Sequence, residues 1–349
     1  MVYVLGTAPF ESIFPYSFSV IPLFVLMGVF AARAGLSRAL FELVNGFFGH
    51  WRGGLAVSTI GACAIFGAIC GSSLATVATI GRVAMPEMRR YGYDDSLSSA
   101  SVAAGGTLGV LIPPSIILVI FGLLTQTSIG KLFVAAIVPG ILGTVLYAIA
   151  AMMRARIRPD LAPRAERMAW SGRSALFGRV WPVLGLFFLV TGGIQFGWFS
   201  PTEAAAVGAF GAFVLALIAG SITGATLREI ARETAGLTGM IFLIIIGASF
   251  FNFFLETTGL PRMLAESIAN SGLHPTLVMV LILLFYIVLG CFMDSMSMVL
   301  LTVPLLAPVA VALNFDMIWF GVLVVTVAEI GLITPPAGMN LFVVQATVP

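Results

Sequence analysis

Gly105-Gly106-Thr107-Leu108-Gly109-Val110-Leu111-Ile112-Pro113-Pro114-Ser115 decides how this chain is read, because Glu329-Ile330-Gly331-Leu332-Ile333-Thr334-Pro335-Pro336-Ala337-Gly338 repeats its plan 222 residues later. In each stretch two consecutive prolines interrupt an apolar segment. A Pro pair withdraws two amide donors and pushes the residue before it out of helical geometry, so each stretch is expected to break a helix and free backbone carbonyls. Such carbonyls at membrane depth suit a cation.

The depth follows from composition. The 349 residues are 60% hydrophobic and 9% charged, with a mean hydropathy of +1.10, which is too little polar surface for a soluble globule of that length. Apolar stretches of about 20 residues recur along the chain, which points to an all-α polytopic membrane protein and not to a β-barrel. The opening residues lack the basic region and cleavage site of a secretory signal. Cys63, Cys70 and Cys291 all lie in apolar runs and are read as packing residues. Seven arginines (Arg154, Arg156, Arg158, Arg164, Arg167, Arg173, Arg179) crowd one polar linker. In a membrane protein such a cluster marks the cytoplasmic side and not a nucleic-acid site.

Working outward from the two breaks, the chain divides as follows. Residues 1–52 form a scaffold span, roughly Tyr16 to Arg33, and an interfacial arm helix after Gly35. Residues 53–125 hold a re-entrant hairpin over 53–90, whose polar centre Cys70-Gly71-Ser72-Ser73 sits between apolar ends, and a broken helix over 94–124. Residues 126–256 are scaffold spans with the arginine-rich linker at 154–180, and Pro139-Gly140 is a candidate kink. A second arm helix occupies 257–274. Residues 275–349 repeat the hairpin (275–312) and the broken helix (316–348). Of the 17 basic residues, only Lys131 and Arg262 fall outside the cytoplasm in this scheme.

The second half copies the first. At a spacing of 222, Ser73 matches Ser295, Pro86 matches Pro308, Asp94 matches Asp316, Gly109 matches Gly331, and the Pro pairs match; upstream, at 224, Gly35, Leu36, Arg38, Leu40 and Glu42 match Gly259, Leu260, Arg262, Leu264 and Glu266. Five crossings separate the copies, and an odd number inverts the second. Inverted repeats with discontinuous helices are the plan of secondary transporters. Projecting the repeat beyond both termini gives the expectation that about two helices are missing in front and one behind.

With these motifs assembled, the chain resembles the large membrane (permease) subunit of TRAP (tripartite ATP-independent periplasmic) transporters. The resemblance rests on Cys70 to Gly81 followed by Met85-Pro86-Glu87-Met88, on Gly109 to Ser115, on Ser200 to Gly208, on Gly290 to Asp294 and on Glu329 to Asn340. It implies an elevator-type symporter of the bacterial inner membrane, not an enzyme, in which sodium drives uptake of a small organic acid. It also implies a periplasmic substrate-binding protein that delivers the substrate, a small four-helix membrane subunit, and no cofactor beyond Na+ as coupling ion.

Carried onto this chain, one sodium site uses Gly71, Ser72, Ser73, Gly109 and Pro113, the other Asp294, Ser295, Thr334, Pro335 and Gly338. Substrate contacts are expected from Ser72, Thr76, Ser115 and Asn340. A hard monovalent cation takes carbonyl and hydroxyl oxygens of this kind, and no transition metal is expected; the competing reading is that Ser and Gly only let helices approach closely. Asp294 is a costly intramembrane carboxylate, functional by default, with a structural hydrogen bond to the hairpin backbone as its rival role. Glu329 reads equally as an ion ligand, a proton carrier or a packing partner. Asn340 caps a helix or meets substrate. Glu203 belongs to a helix N-terminus, and Arg38 and Arg262 pair with Glu42 and Glu266. Competing functions are a sodium-dicarboxylate symporter without a binding protein, an inactive truncated permease, and an intramembrane serine hydrolase using Ser72 or Ser73 with His50. The hydrolase lacks an oriented third member.

Overall fold

The computed structural model describes residue 7 and residues 10–163 and 168–347. Among these are fifteen α-helices of nine residues or more and no β-strand. Arg164 and Arg167 of the basic linker lie outside the described residues.

The chain enters through a 3-10 turn at Tyr16–Ser19 and α1 (Val20–Arg33), then turns at the left-handed Gly35 into the arm helix α2 (Leu36–Phe48). The first hairpin is α3 (Gly54–Cys70) and α4 (Ser73–Arg90), and the first broken helix is α5 (Asp95–Leu111) and α6 (Ile116–Thr125), bent by 41°. Three long scaffold helices and a shorter one follow: α7 (Ile129–Ile157), α8 (Trp170–Gln195), α9 (Pro201–Ile218) and α10 (Gly224–Thr258). The second arm is α11 (Leu260–Ala269), the second hairpin α12 (Pro275–Gly290) and α13 (Ser295–Ala312), and the second broken helix α14 (Met317–Gly331) and α15 (Met339–Thr347).

Capping chemistry fixes the repeat's corners. Asp94 and Asp316, equivalent in the two halves, each accept an amide hydrogen bond at the start of a broken helix, from Ser96 and Trp319 respectively, both at 2.9 Å. Ser72 and Asp294 do the same at the two hairpin tips, Ser72 for Ala75 and Asp294 for Met296 and Ser297. The arms carry their expected ion pairs, Arg38–Glu42 at 3.3 Å and Arg262–Glu266 at 2.7 Å.

Among the described residues, six helices are long and apolar enough to cross a membrane, or up to seven when the bent pair α5–α6 is one span. They include α13, so hydropathy alone does not separate that arm of the second hairpin from a full span; its N-terminal end abuts the second helix break instead. At about 1.5 Å per residue, α3 with 17 residues and α12 with 16 reach only about 24–26 Å, short of the roughly 30 Å hydrocarbon core. Arg33 at the end of α1 pairs with Glu229 at 2.9 Å and Glu233 at 3.0 Å near the start of α10. That places these two helix ends on the same side of the membrane.

The basic linker is shorter than the sequence suggests. α7 runs on through Arg154 and Arg156, and α8 begins at Trp170 and already contains Arg173 and Arg179. Only 158–169 joins them, with a 3-10 turn at Pro159–Leu161. Arginine is a good helix former, and its charge at the last turn of α7 complements the helix dipole, so charged flanks extend these helices past their apolar parts. Arg228 and Arg232 likewise lie inside a helix, in the first turns of α10. Pro139 sits inside α7 without ending it, and Gly140 beside it lets α7 approach the first break: a Cβ there would lie 2.8 Å from the Ile112 side chain.

Candidate functional site

Each break meets one hairpin tip. In the first half α3 ends at Gly71 in the left-handed region (φ +63°), which turns the chain toward Ser72. A Cβ on Gly71 would sit 3.0 Å from the Pro114 carbonyl oxygen, so the tip lies against the break. Ser72 uses its hydroxyl as the N-cap of α4, while its carbonyl accepts the Thr76 hydroxyl at 2.7 Å. Gly109 is close by: a Cβ there would fall 2.6 Å from Thr76 Oγ1 and 3.1 Å from Ser72 O. Pro113, Pro114 and Ser115 are buried, the Pro113–Pro114 bond is cis, and Ser115 caps α6 through Leu118 N at 3.3 Å.

The second half repeats this with changes. The Cys291 thiol reaches the Pro335 carbonyl at 3.4 Å, which ties the tip to its break, and the Pro335–Pro336 bond is again cis. Asp294 Oδ2 accepts the Met296 and Ser297 amides, each at 3.0 Å, and Oδ1 accepts the Ser297 hydroxyl at 2.5 Å. The Thr334 hydroxyl donates to Ile330 O at 2.7 Å, and Gly338 has a φ of +60° where the chain re-enters helix. Between the two halves stands a third cluster. Ser295 donates to Glu329 Oε1 at 2.7 Å, and Glu329 is 1% exposed. Glu329 Oε2 is buried without a standard hydrogen bond, and Ser73 from the first tip interacts with the same carboxylate. Asn340, fully buried, donates to Ser73 Oγ and to Ala103 O, both at 3.1 Å.

The structure therefore gathers Gly71, Ser72, Thr76 and Gly109 at the first break, and Asp294, Pro335 and the Thr334 turn at the second. Ser73, Ser295, Glu329 and Asn340 converge between the halves. Asp294 holds the structural role of helix cap. Asn340, read as a cap or substrate contact, spends both its N–H donors bridging the halves. Two Gly–Gly crossings escaped the sequence reading: Gly67 meets Gly109, and Gly290 meets Gly331 with a virtual Cβ only 2.8 Å from the partner Cα. The Gly spacing was visible, but nothing in one sequence says which glycines face each other. A cleft of about 500 Å³ lies elsewhere, at the ends of α6 and α8, lined by residues that include Gln126, Ser128 and Phe199.

Ser200 and Glu203 form a reciprocal capping box on α9: the Ser200 amide donates to the Glu203 carboxylate at 2.7 Å and the Glu203 amide to the Ser200 hydroxyl at 3.3 Å. His274 caps α12 through Thr276 N at 3.3 Å, and His50 Nδ1 is buried with no hydrogen-bond partner.

Two inverted halves, each with a hairpin tip set against a Pro-Pro break, define a polytopic membrane transporter of the inverted-repeat class. A sequence model of the "Tripartite ATP-independent periplasmic transporter, DctM component" matches residues 1–348. The chain belongs to that family, and is a transporter subunit of the inner membrane, not an enzyme. It is 38% identical over 341 residues to the C4-dicarboxylate TRAP transporter large permease protein DctM of Pseudomonas aeruginosa, covering 97% of this chain and 79% of that protein. It is 34% identical to the sialic acid TRAP transporter large permease protein SiaM of Vibrio cholerae, covering 93% and 76%. Among solved structures it resembles the Alcanivorax borkumensis YdaH transporter, with a TM-score of 0.68, 16% identity, and coverage of 99% of this chain and 81% of that one. That likeness is one of fold.

Proposed function

We propose that this chain is the large permease of a sodium-coupled uptake system for a small organic acid, working by an elevator motion. In this reading a periplasmic binding protein delivers the substrate, and a small four-helix membrane subunit braces the scaffold. The observation that carries it is the pairing of each hairpin tip with a helix break. Gly71, Ser72, Ser73, Gly109 and Pro113 on one side, and Asp294, Ser295, Thr334, Pro335 and Gly338 on the other, supply carbonyl, hydroxyl and carboxylate oxygens suited to a hard monovalent cation.

The acid fits two further observations. The relatives named above are described as carrying a C4-dicarboxylate and sialic acid, both carboxylates. The hairpin return helices α4 and α13 also begin at the tips, and helix N-termini favour an anion. Ser72, Thr76, Ser115 and Asn340 are the side chains proposed to meet substrate when the tips part. Uptake of a labelled dicarboxylate into proteoliposomes, with and without a sodium gradient, binding protein and small subunit, tests the reading. Uptake that persists after sodium is replaced by potassium overturns the coupling. Uptake that needs no binding protein favours a stand-alone symporter.

A further inference from the structure

Where the scaffold helix α10 meets the second hairpin, one side chain reaches a carbonyl that a proline has set free. Pro304 stands inside α13 and brings no amide, so Leu300 O, four residues earlier, loses its helical donor. Leu300 is 2% exposed, which keeps water from taking that donor's place. Asn252 of α10 takes it instead, and its Nδ2 donates to Leu300 O at 3.3 Å. Its Oδ1 is buried with no hydrogen-bond partner. An amide in the apolar part of a helix costs desolvation that a leucine would avoid, so Asn252 is accounted for by the carbonyl it holds and not by packing.

The repeat sharpens the point. At the 222 spacing Pro304 matches Arg82, and at the 224 spacing of the arms Asn252 matches Gly28. Both partners of the bond therefore depart from the first half, and they meet in space. In the first half the matching helix lies flush against its hairpin: a Cβ on Gly28 would fall 3.1 Å from Cys70 Cα. On that side Met27, Phe187 and Val190 of the scaffold border a small apolar gap with Ala68, Ile69 and Pro114. Apolar contact is non-directional and lets one body slide past another, whereas a hydrogen bond needs a fixed geometry.

We propose that Asn252 is a positioning residue for transport: its bond to Leu300 O latches the second hairpin to the scaffold and must break before that hairpin moves. The inference rests on the elevator reading given above. Asn252 belongs to neither a tip nor a break, so it acts on the balance between latched and unlatched protein and not on the ion or substrate contacts. The shift it can cause is bounded by the worth of one hydrogen bond between membrane helices.

The test uses the full chain in nanodiscs, with spin labels on Leu243→Cys of α10 and Val311→Cys of α13, positions 70% and 57% exposed; the native cysteines are buried. Pulsed electron resonance should find two label separations in the wild type, in proportions that respond to sodium and a dicarboxylate. Asn252→Leu should lower the ratio of latched to unlatched protein about threefold. Asn252→Gln, which keeps a donor on a longer stem, should recover part of it. Pro304→Ala returns a helical amide to Leu300 O, and this separates a latch from a local repair. Hydrogen exchange of the α13 amides should quicken in Asn252→Leu and return to the wild-type rate when Pro304→Ala is added, while the label separations stay shifted. Recovery of both would mean that Asn252 only satisfies the carbonyl, and would overturn the latch. A single separation in the wild type under every condition overturns the elevator motion and the latch with it; two separations whose ratio ignores Asn252→Leu overturn the latch alone.

Discussion

Ser295, the first residue of the second hairpin's return helix, donates its hydroxyl to Glu329 Oε1 at 2.7 Å, and both side chains are almost fully buried. The equivalent positions in the first half, 222 residues earlier, are Ser73 and Thr107. Thr107 instead donates to Ala104 O at 2.7 Å and lies 3.4 Å from the Tyr147 hydroxyl. The inverted halves therefore share a scaffold but differ at this buried position, a carboxyl in one and a hydroxyl in the other, and Ser73 crosses over to approach the Glu329 carboxyl as well.

Ser295→Ala removes the one standard hydrogen bond to the Glu329 carboxylate, whose other oxygen already has none. Taking a donor away from a buried carboxyl costs about 1–3 kcal/mol, so the variant should melt lower than wild type. Ser295→Ala combined with Glu329→Leu should recover part of that loss, because an apolar pair needs no donor. Equal melting of wild type and Ser295→Ala in detergent would show that the bond contributes nothing.

The Gly290–Gly331 crossing admits no side chain. A Cβ on Gly331 would lie 2.6 Å from the Gly290 Cα, and the obstacle is backbone, which cannot rotate away. Gly331→Ala should therefore destabilise by about 1–3 kcal/mol through overpacking, and should separate the hairpin from the broken helix it contacts. Gly247, in the middle of α10 with nothing within 4 Å, is the contrast. Gly247→Ala should be neutral, or stabilise by up to about 1 kcal/mol through helix propensity. The two melting temperatures, measured side by side, check the packing argument.

Much of this architecture was legible in the sequence, and the reason is specific. Pro pairs, Gly-Ser tips and Asp caps act locally, so Pro113-Pro114, Gly71-Ser72 and Asp94 announce a break, a turn and a helix start wherever they stand. Their recurrence at a fixed spacing then exposed the repeat. Helix ends on the cytoplasmic side were misjudged because arginines are as content in a helix as in a linker, and α7 and α8 absorb most of 154–180. Contacts between the halves were not legible at all. Asn340 is 267 residues from Ser73 and 237 from Ala103, and no single-sequence signal links them.

Asn340→Ala should loosen that bridge. It strips a donor from Ser73 Oγ and one from Ala103 O, both buried, at a cost of about 1–3 kcal/mol. If the bridge also sets the first tip for its cation, sodium should stabilise the variant less than it stabilises the wild type. Sodium-dependent shifts in melting temperature read this directly; an unchanged shift leaves Asn340 with a purely structural role.

Acid should act at the exposed turn between α4 and α5. The Arg89 side chain beside Asp95, paired at 2.8 Å, holds that carboxyl below its usual range, and bonds from the Ser96 hydroxyl and amide do the same for Asp94. A carboxylate whose folded pKa is lowered adds stability that is complete above its unfolded value, about 3.9, and is lost as pH falls through the folded one. The turn should therefore be insensitive to pH near neutrality and loosen only below about pH 4. Proteolysis of the 91–95 segment across pH, compared with Asp94→Asn, checks this.

Asp294 is where structure and transport can be separated. Its side chain caps α13 through two amides and the Ser297 hydroxyl. Asparagine caps about as well as aspartate, whereas alanine forfeits roughly 0.5–2 kcal/mol. Asp294→Asn should then keep nearly all the stability that Asp294→Ala loses. If the carboxylate also supplies charge to the second cation site, Asp294→Asn should nevertheless require a markedly higher sodium concentration for half-maximal uptake. A cap that is only a cap predicts the opposite pattern: unchanged sodium dependence in Asp294→Asn, with any loss in Asp294→Ala tracking its melting temperature. Measuring both variants for stability and for sodium-dependent uptake assigns Asp294 to one role or to both.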